Sequence, residues 1–487
     1  MITVSNQNHW LIDQAKLNPN KKFIITDNKQ FTYSEIFIEV NRVSNHLCKN
    51  GIKENDHVAI IAEHNSSFII TVNACWIIGA VPVPVNNNLS DLEYDNICKV
   101  TNCKCLIYLK GKKHKPNLQN TNSISILEMI LEDDADFVDT KSFDKNSTCL
   151  IIPTSGSTGK AKYVQLTFSN LFESVISSDT FINPNIYDLW LASLPFYHIG
   201  GFSIIVRTLC SGCSLVIPNS LKDGDLYSII QEKLPSLISF VPVMMERILE
   251  RTIKPWRKLR HIFIGGGPIS ERIMKNSLNN LWPISLVYGS TETSSMVSVC
   301  SNDNLNSNGI SAGLPLPGVK ITINSNENNK IIKSNVGSII IESNSVSKSY
   351  YNNTDTQILV DGKFYSNDLG EIDSKGNLHI YGRTDKVIIS GGENISLIEI
   401  ENVLKKNKSF DEILVLGIKD EKWGQSYIVV SNSSEDDIEH KIVSHLEQKL
   451  PRFKLPKSVI KVAEIPKNQM GKILKKELMK KINFDLI

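Results

Sequence analysis

From about residue 20 to 320, short apolar runs of strand length alternate with amphipathic stretches of helix length. The runs at 58–62, 150–152, 189–194, 237–241, 262–264 and 284–288 fit strands, and 170–178 and 270–277 fit helices. Such alternation predicts α/β architecture with a buried, mostly parallel sheet. The most apolar stretch, 68–85, contains Asn73, Gly79, Pro82 and Pro84. These shorten any helix below a membrane span, so the stretch reads as a buried helix followed by a strand.

The rhythm then changes twice. Between 319 and 381 short strands with turn residues take over, as at 338–341 and 378–381. Beyond Arg383, 387–389 reads as a strand and Gly391-Gly392 as a turn. Ser396 and Glu399 have capping-box spacing for a helix that turns Ile400, Val403 and Leu404 inward. Strands at 413–417, 426–430 and 458–462 and a helix near 435–449 complete a small α+β domain. A chain of 487 residues exceeds one ordinary core, and the boundary falls near Asp385.

Composition acts here by exclusion. With 41% hydrophobic and 21% charged residues and a net charge of +2, nothing points to nucleic acid or a membrane surface as partner. The nine cysteines suit reduced thiols. Cys210/Cys213 and Cys103/Cys105 lack the second pair or His cluster that would complete a zinc site. The opening Met1-Ile-Thr-Val carries no secretory pattern, so a cytoplasmic protein is expected. A homo-oligomer stays open.

Candidate chemistry begins with Thr154-Ser155-Gly156-Ser157-Thr158-Gly159-Lys160-Ala161-Lys162, directly after the run at 150–152. Glycines let the backbone approach a ligand, and hydroxyls, N–H groups and two lysines can surround phosphate oxygens. It is not a Walker A loop, because Thr154 and Ala161 stand where Gly and Ser or Thr are required. By spacing alone it fits a flexible surface turn equally well. Further along come His198 in Leu194-Pro-Phe-Tyr-His-Ile-Gly-Gly201, then Gly265-Gly266-Gly267-Pro268, then Tyr288-Gly289-Ser290-Thr291-Glu292-Thr293. Asp368, Arg383 and Pro466-Lys-Asn-Gln-Met-Gly-Lys472 complete the series. Each alone has a bland alternative: a structural histidine, a glycine turn, a solvated Asp or Arg, one more lysine of a basic tail.

In this order the segments resemble the adenylate-forming superfamily of acyl- and aryl-CoA ligases, luciferases and peptide-synthetase adenylation domains. The likeness runs from about His9 to Lys475. It implies an ATP-dependent acid–CoA ligase that forms an acyl-adenylate and passes the acyl group to a thiol. Its small-molecule partners would be a carboxylic acid, ATP with Mg²⁺, and coenzyme A. The resemblance further implies a large N-terminal α/β domain with sub-sheets over 1–383. A hinge at 384–386 centred on Asp385 and a small mobile C-terminal α+β domain over 387–487 would follow. By the same likeness Thr154 to Lys160 hold phosphates, and Gly266, Gly267, Tyr288 and Gly289 flank adenine. Thr291 holds the α-phosphate, Glu292 the metal, and Asp368 and Arg383 the ribose. His198 lines the acyl pocket and Lys472 is catalytic. Trp423, Phe453 and Gly391 meet coenzyme A. The superfamily's usual Pro-Lys-Gly is Ala161-Lys162-Tyr163 here, which should alter loop stiffness more than charge.

For the acid, the opening Asn8-His-Trp10-Leu-Ile-Asp-Gln-Ala and the segment His198 to Gly212 resemble the o-succinylbenzoate–CoA ligases of menaquinone synthesis. A succinylbenzoate keeps a second carboxylate after activation, and Arg207 offers a bidentate cation for it. Arg207 could instead cap a helix or pair a structural carboxylate. A ligase for another aryl or fatty acid, an amino-acid adenylation enzyme and an inactive nucleotide-binding protein are the alternatives.

Overall fold

The computed structural model describes residues 2–4, 7–108, 117–118, 121–125, 142–155, 161–251, 254–308, 310–324, 335–351, 358–383, 387–390, 393–405, 407, 410, 412–420, 424–450, 452–467, 473–474, 477–478 and 480–482. The chain packs as two compact units, one of residues 1–321 and 341–364, the other of 322–340 and 365–487.

In the first unit a nine-stranded sheet runs in the order Leu314–Pro315, Ser295–Cys300, Ile284–Ser290, His261–Ile264, Leu237–Phe240, Leu189–Leu191, Ser214–Val216, Lys22–Ile25, Gln30–Thr32. Its six central strands are parallel, and antiparallel strands close both edges. The expected runs at 237–241, 262–264 and 284–288 all lie in it. The run at 189–194 is a strand only to Leu191, where the Ser193 N–H donates back to the Leu191 carbonyl and the chain turns toward Pro195.

A second, parallel sheet has the order Val81–Val85, His57–Ile61, Cys103–Tyr108, Asn122–Ser125. The apolar stretch at 68–85 forms the helix Ser66–Ile77, capped by the Asn65 side chain, and the fully buried strand Val81–Val85. Pro82 and Pro84 sit in a strand that pairs on one side only, where a missing N–H is tolerated. Trp10 is buried against Trp76, Phe168 and Phe172, so the opening segment anchors an aromatic cluster.

A five-stranded sheet built from Lys320–Asn324, Gly337–Glu342, Lys363–Ile372, Leu359–Val360 and Leu378–Arg383 replaces the parallel pattern after residue 320. In the second unit the sheet Glu393–Ser396, Val387–Ser390, Gly424–Ser431, Ile413–Asp420, with Ser458–Lys461 beside Gly424–Ser431, is covered on both faces. Period two explains how. Ile413, Val415, Tyr427 and Val429 pack with Ile400, Leu404, Ile442 and Leu446 of the helices Leu397–Lys405 and Ile438–Glu447. Leu414, Leu416, Ile418, Ile428 and Val430 pack with Val462, Ile465, Leu478 and Ile482. All nine cysteines are free thiols. Among the described residues no helix is long and apolar enough to cross a membrane.

Candidate functional site

Three of the sequence segments meet at one edge of the nine-stranded sheet. Leu189–Leu191, His261–Ile264 and Ile284–Ser290 are parallel, so the chain leaves all three on the same side. His198, the glycines 265–267 and the turn from Tyr288 to Glu292 are therefore brought to one edge. In open α/β sheets this carboxyl edge is where ligands bind. Gly266 has φ +77° and is exposed, and a Cβ on Gly265 would lie 2.8 Å from Val287 Cγ2. The turn thus needs Gly265 and Gly266 for its own path, while a Cβ on Gly267 would meet nothing within 4 Å.

The turn after Tyr288 is held from within. Thr293 Oγ1 donates to the Ser295 carbonyl at 2.8 Å and accepts from the Ser290 N–H at 2.8 Å. Ser294 and Ser295 have φ of +57° and +108°, a strained pair for non-glycine residues. Ser294 Oγ donates to the Ser345 carbonyl at 2.7 Å, and the Ser347 N–H donates to the Glu292 carbonyl at 2.7 Å. Thr291 and Glu292 are left half-buried at the rim. Glu292 Oε1 accepts from the Tyr350 hydroxyl at 2.9 Å. Oε2 has no hydrogen-bond partner among the described residues. Burial, then the Glu292 charge, pushes the Tyr350 hydroxyl well above its ordinary value, so it stays a donor.

The expected phosphate loop is the connection of a hairpin. Thr148–Ser155 and Ala161–Thr167 pair antiparallel, with Thr154 opposite Lys162 and Ser155 opposite Ala161. Thr154 Oγ1 donates to the Lys162 carbonyl at 3.2 Å. Gly156, Ser157, Thr158, Gly159 and Lys160 lie outside the described residues. The two departures from the superfamily pattern stand in the paired strand, and Tyr163 is buried among Ile61, Val83 and Val85 of the parallel sheet. Lys162 makes no ion pair among the described residues, and its Nζ lies 4.9 Å from the centre of the Tyr350 ring.

His198 opens the helix Ile199–Ser211 as its N-cap residue and is exposed, its ring 4.6 Å from that of Tyr197. Arg207, on the same helix, is only 3% exposed. Its Nε donates to Ser178 Oγ at 3.2 Å, and Nη2 has no hydrogen-bond partner among the described residues. No ion pair forms at Arg207 among the described residues. Burial lowers its pKa to about 10, leaving it charged at neutral pH. A buried cation held by a neutral hydroxyl lacks the compensating charge that burial ordinarily demands.

In the second unit Asp368 and Arg383 are cross-strand partners of the antiparallel pair Lys363–Ile372 and Leu378–Arg383. Arg383 Nη1 is 4.0 Å from Asp368 Oδ1. The Asp368 N–H donates to Ser366 Oγ at 3.2 Å, whose hydroxyl donates to the Ile339 carbonyl. A carboxylate and a guanidinium side by side suit a pair of vicinal hydroxyls. Phe453 lies in the 3₁₀ turn Arg452–Lys454. Asp385, Gly391, Trp423 and Lys472 lie outside the described residues. The antiparallel bridge Lys467–Ile473 closes the ends of the segment that holds Lys472.

As to a metal, no group of three or more His, Cys, Asp or Glu side chains gathers among the described residues. Glu292, with one oxygen tied and one untied, fits a hard cation that takes one carboxylate from the protein and its remaining oxygens from phosphates and water, as Mg²⁺ does. Sequence reasoning missed Tyr350 and Ser178. Neither belongs to a spaced motif, and only the fold brings them to Glu292 and Arg207.

Comparison with known proteins adds the rest. A family described as AMP-binding enzyme matches residues 11–351, and the AMP-binding enzyme C-terminal domain matches 399–472. The chain is 31% identical over 481 residues to the 2-succinylbenzoate–CoA ligase of Oceanobacillus iheyensis, covering 97% of this chain and 99% of that one. It is 29% identical to the Bacillus mycoides ligase of the same name, covering 97% and 98%. Among solved structures it resembles Bacillus subtilis o-succinylbenzoate CoA synthetase in complex with the acyl-adenylate intermediate, with TM-score 0.90 and 27% identity over 99% of each chain. The same enzyme with ATP and magnesium ion gives TM-score 0.88 and 26% identity, over 96% of this chain and 99% of that one.

Proposed function

The chain belongs to the AMP-binding enzyme family, and we propose that it is an AMP-forming CoA ligase acting on 2-succinylbenzoate, a step of menaquinone synthesis. The observation that carries this reading is 31% identity to a ligase of that name across 97% of the chain. Arg207 supports the choice of acid physically. It stays charged although buried, and a monocarboxylic acid would leave such a cation unpaired after activation.

Two half-reactions follow. A carboxylate oxygen of the acid attacks the α-phosphorus of ATP, and pyrophosphate leaves. The sulfur of coenzyme A then attacks the acyl carbonyl of the adenylate, and AMP leaves. The adenylate is a mixed anhydride with a good leaving group, so no protein nucleophile is needed. The thiols agree with this: burial raises Cys75, Cys149 and Cys210 well above the ordinary range, where they are inert.

We assign the roles as follows. The hairpin connection from Thr154 to Lys160, with Lys162, binds the phosphates through N–H groups, hydroxyls and ammonium charge. Gly266, Gly267, Tyr288 and Gly289 flank adenine, and Asp368 and Arg383 hold the ribose. Thr291 orients the α-phosphate, and Glu292 would hold Mg²⁺. When bound, that ion neutralises phosphate charge as pyrophosphate departs. Lys472 bridges the acid's carboxylate and the α-phosphate, where charge builds up in the transition state. His198 and Arg207 bind the acid. After adenylation the domain beyond Asp385 rotates and presents Trp423, Phe453 and Gly391 to coenzyme A.

The test is acid-dependent pyrophosphate release from MgATP over o-succinylbenzoate, benzoates, fatty acids and amino acids. Preference for o-succinylbenzoate, with a CoA ester formed on adding coenzyme A, is the expected result. Preference for another acid would discard the substrate, and silence across the panel would discard the ligase.

A further inference from the structure

The hydroxyl of Tyr350 and the face of its ring serve two opposite charges. The hydroxyl donates to Glu292 Oε1 at 2.9 Å, and the Lys162 ammonium lies 4.9 Å from the ring centre. An aromatic face attracts a cation, and a hydroxyl hydrogen attracts a carboxylate. One side chain therefore touches both a lysine of the phosphate hairpin and the carboxylate of the adenylate turn. We propose that Tyr350 is a positioning residue for the metal–phosphate site. It fixes Glu292 with one oxygen turned over to the metal, and it keeps Lys162 and Glu292 from closing into an ion pair.

Tyr350 is itself well fixed. Its backbone bridges Val164, the Tyr351 N–H donates to the Tyr163 carbonyl at 2.7 Å, and the Gln165 N–H donates to the Ser349 carbonyl at 3.3 Å. The segment thus lies along the free edge of Ala161–Thr167 as a third strand would. From its other end Ser345 and Ser347 bond the turn at Ser294 and Glu292. Asn170 Nδ2 donates to the carbonyls of Asn344 and Val346, tying the same segment to the helix Phe168–Ile182. Residues 344–351 therefore link the two halves of the nucleotide site by backbone, and Tyr350 links them by charge. Without the ring the lysine and the carboxylate would be drawn toward each other, and any pair they formed would have to break for phosphate and metal to bind.

The inference rests on the reading of Glu292 as the metal residue, so the measurement begins with the unaltered enzyme. Mn²⁺ binding in the presence of ATP, without acid, is followed by electron paramagnetic resonance, and metal-free ATP binding by calorimetry. If the unaltered enzyme binds Mn²⁺ with ATP and Glu292→Gln does not, the underlying reading holds. If Glu292→Gln binds Mn²⁺ as well as the unaltered enzyme, that reading falls. Tyr350→Phe keeps the ring under Lys162 and removes only the hydroxyl. It is expected to weaken Mn²⁺ about tenfold, the size of losing a hydrogen bond to a charged group, and to leave metal-free ATP binding unchanged. Tyr350→Ala, which lets Lys162 reach Glu292, is expected to weaken both. Adding Tyr350→Phe to Glu292→Gln should change nothing further. Unchanged Mn²⁺ affinity in Tyr350→Phe, or equal loss of metal and metal-free ATP binding in it, overturns the proposal while the metal role of Glu292 stands.

Discussion

Arg207 reaches Ser178 Oγ through Nε at 3.2 Å and meets no carboxylate among the described residues, although it is 3% exposed. An uncompensated buried cation lowers stability, in line with its depressed pKa of about 10, and an incoming anion would supply the missing charge.

Arg207→Met is therefore expected to leave the melting temperature of the unliganded protein level or raise it. KM for o-succinylbenzoate should rise at least about tenfold, the loss of a charge-assisted pair. Acids with a single carboxylate should change little. Thermal melts beside steady-state kinetics on both acid types check this. A large fall in melting temperature with equal loss for all acids would make Arg207 structural.

Gly289 stands opposite Met296 at an irregularity in its strand pair, and a Cβ there would lie 1.9 Å from the Ser295 carbonyl oxygen. The nearest atoms are all backbone of Ser295 and Met296, which cannot yield as a flexible side chain can. Gly289→Ala should cost more than about 3 kcal/mol, with several degrees lost in melting temperature and adenylation reduced accordingly. Gly267→Ala meets open space and should fold as well as the unaltered chain. Loss of ATP affinity in that variant alone would mark close approach of a ligand to Gly267, and full retention of affinity would remove it from the adenine site.

How much of this was legible follows from what each feature depends on. Parallel strands buried on both faces read as apolar runs, which is why 237–241, 262–264 and 284–288 were found from the sequence. The helix with Ile400 and Leu404 inward was legible from period and cap spacing, and both residues are fully buried. The end of the strand at Leu191 was not, because a hydrogen bond between Ser193 and Leu191 terminates it inside a run that stays apolar to Leu194. Among the candidate residues, Glu292, Asp368 and Arg383 stood out through local motifs. Tyr350 acts on Glu292 across 58 positions of chain and Ser178 on Arg207 across 29, and no local pattern records such pairings.

His261 begins a central strand, with its ring 5.4 Å from Phe263 and 5.2 Å from Phe181. Burial, then the Arg260 charge, lowers its pKa from 6.5 to about 4. The unfolded chain takes up this proton near pH 6.5 and the folded chain only near pH 4. Stability is therefore lost as pH falls from 6.5 toward 4. His261→Gln should flatten that part of the curve, measured as melting temperature at pH 7.5, 6 and 5. An unchanged slope would place the acid sensitivity in other groups.

Lys472 falls in the segment whose ends are closed by the bridge between Lys467 and Ile473. The two half-reactions make different demands on such a lysine. During adenylation negative charge accumulates between the acid's carboxylate and the α-phosphate, where an ammonium group stabilises the transition state. During thiol attack it accumulates on the acyl carbonyl oxygen, and AMP is already a competent leaving group. Lys472→Ala should thus lower pyrophosphate release from acid and ATP by more than about a hundredfold, the scale of removing one electrostatic donor. The same variant, given the synthetic acyl-adenylate and coenzyme A, should form the CoA ester at close to the normal rate. Equal loss in both assays would mean that one face of the C-terminal domain serves both reactions, and rotation about Asp385 would have no role in the cycle.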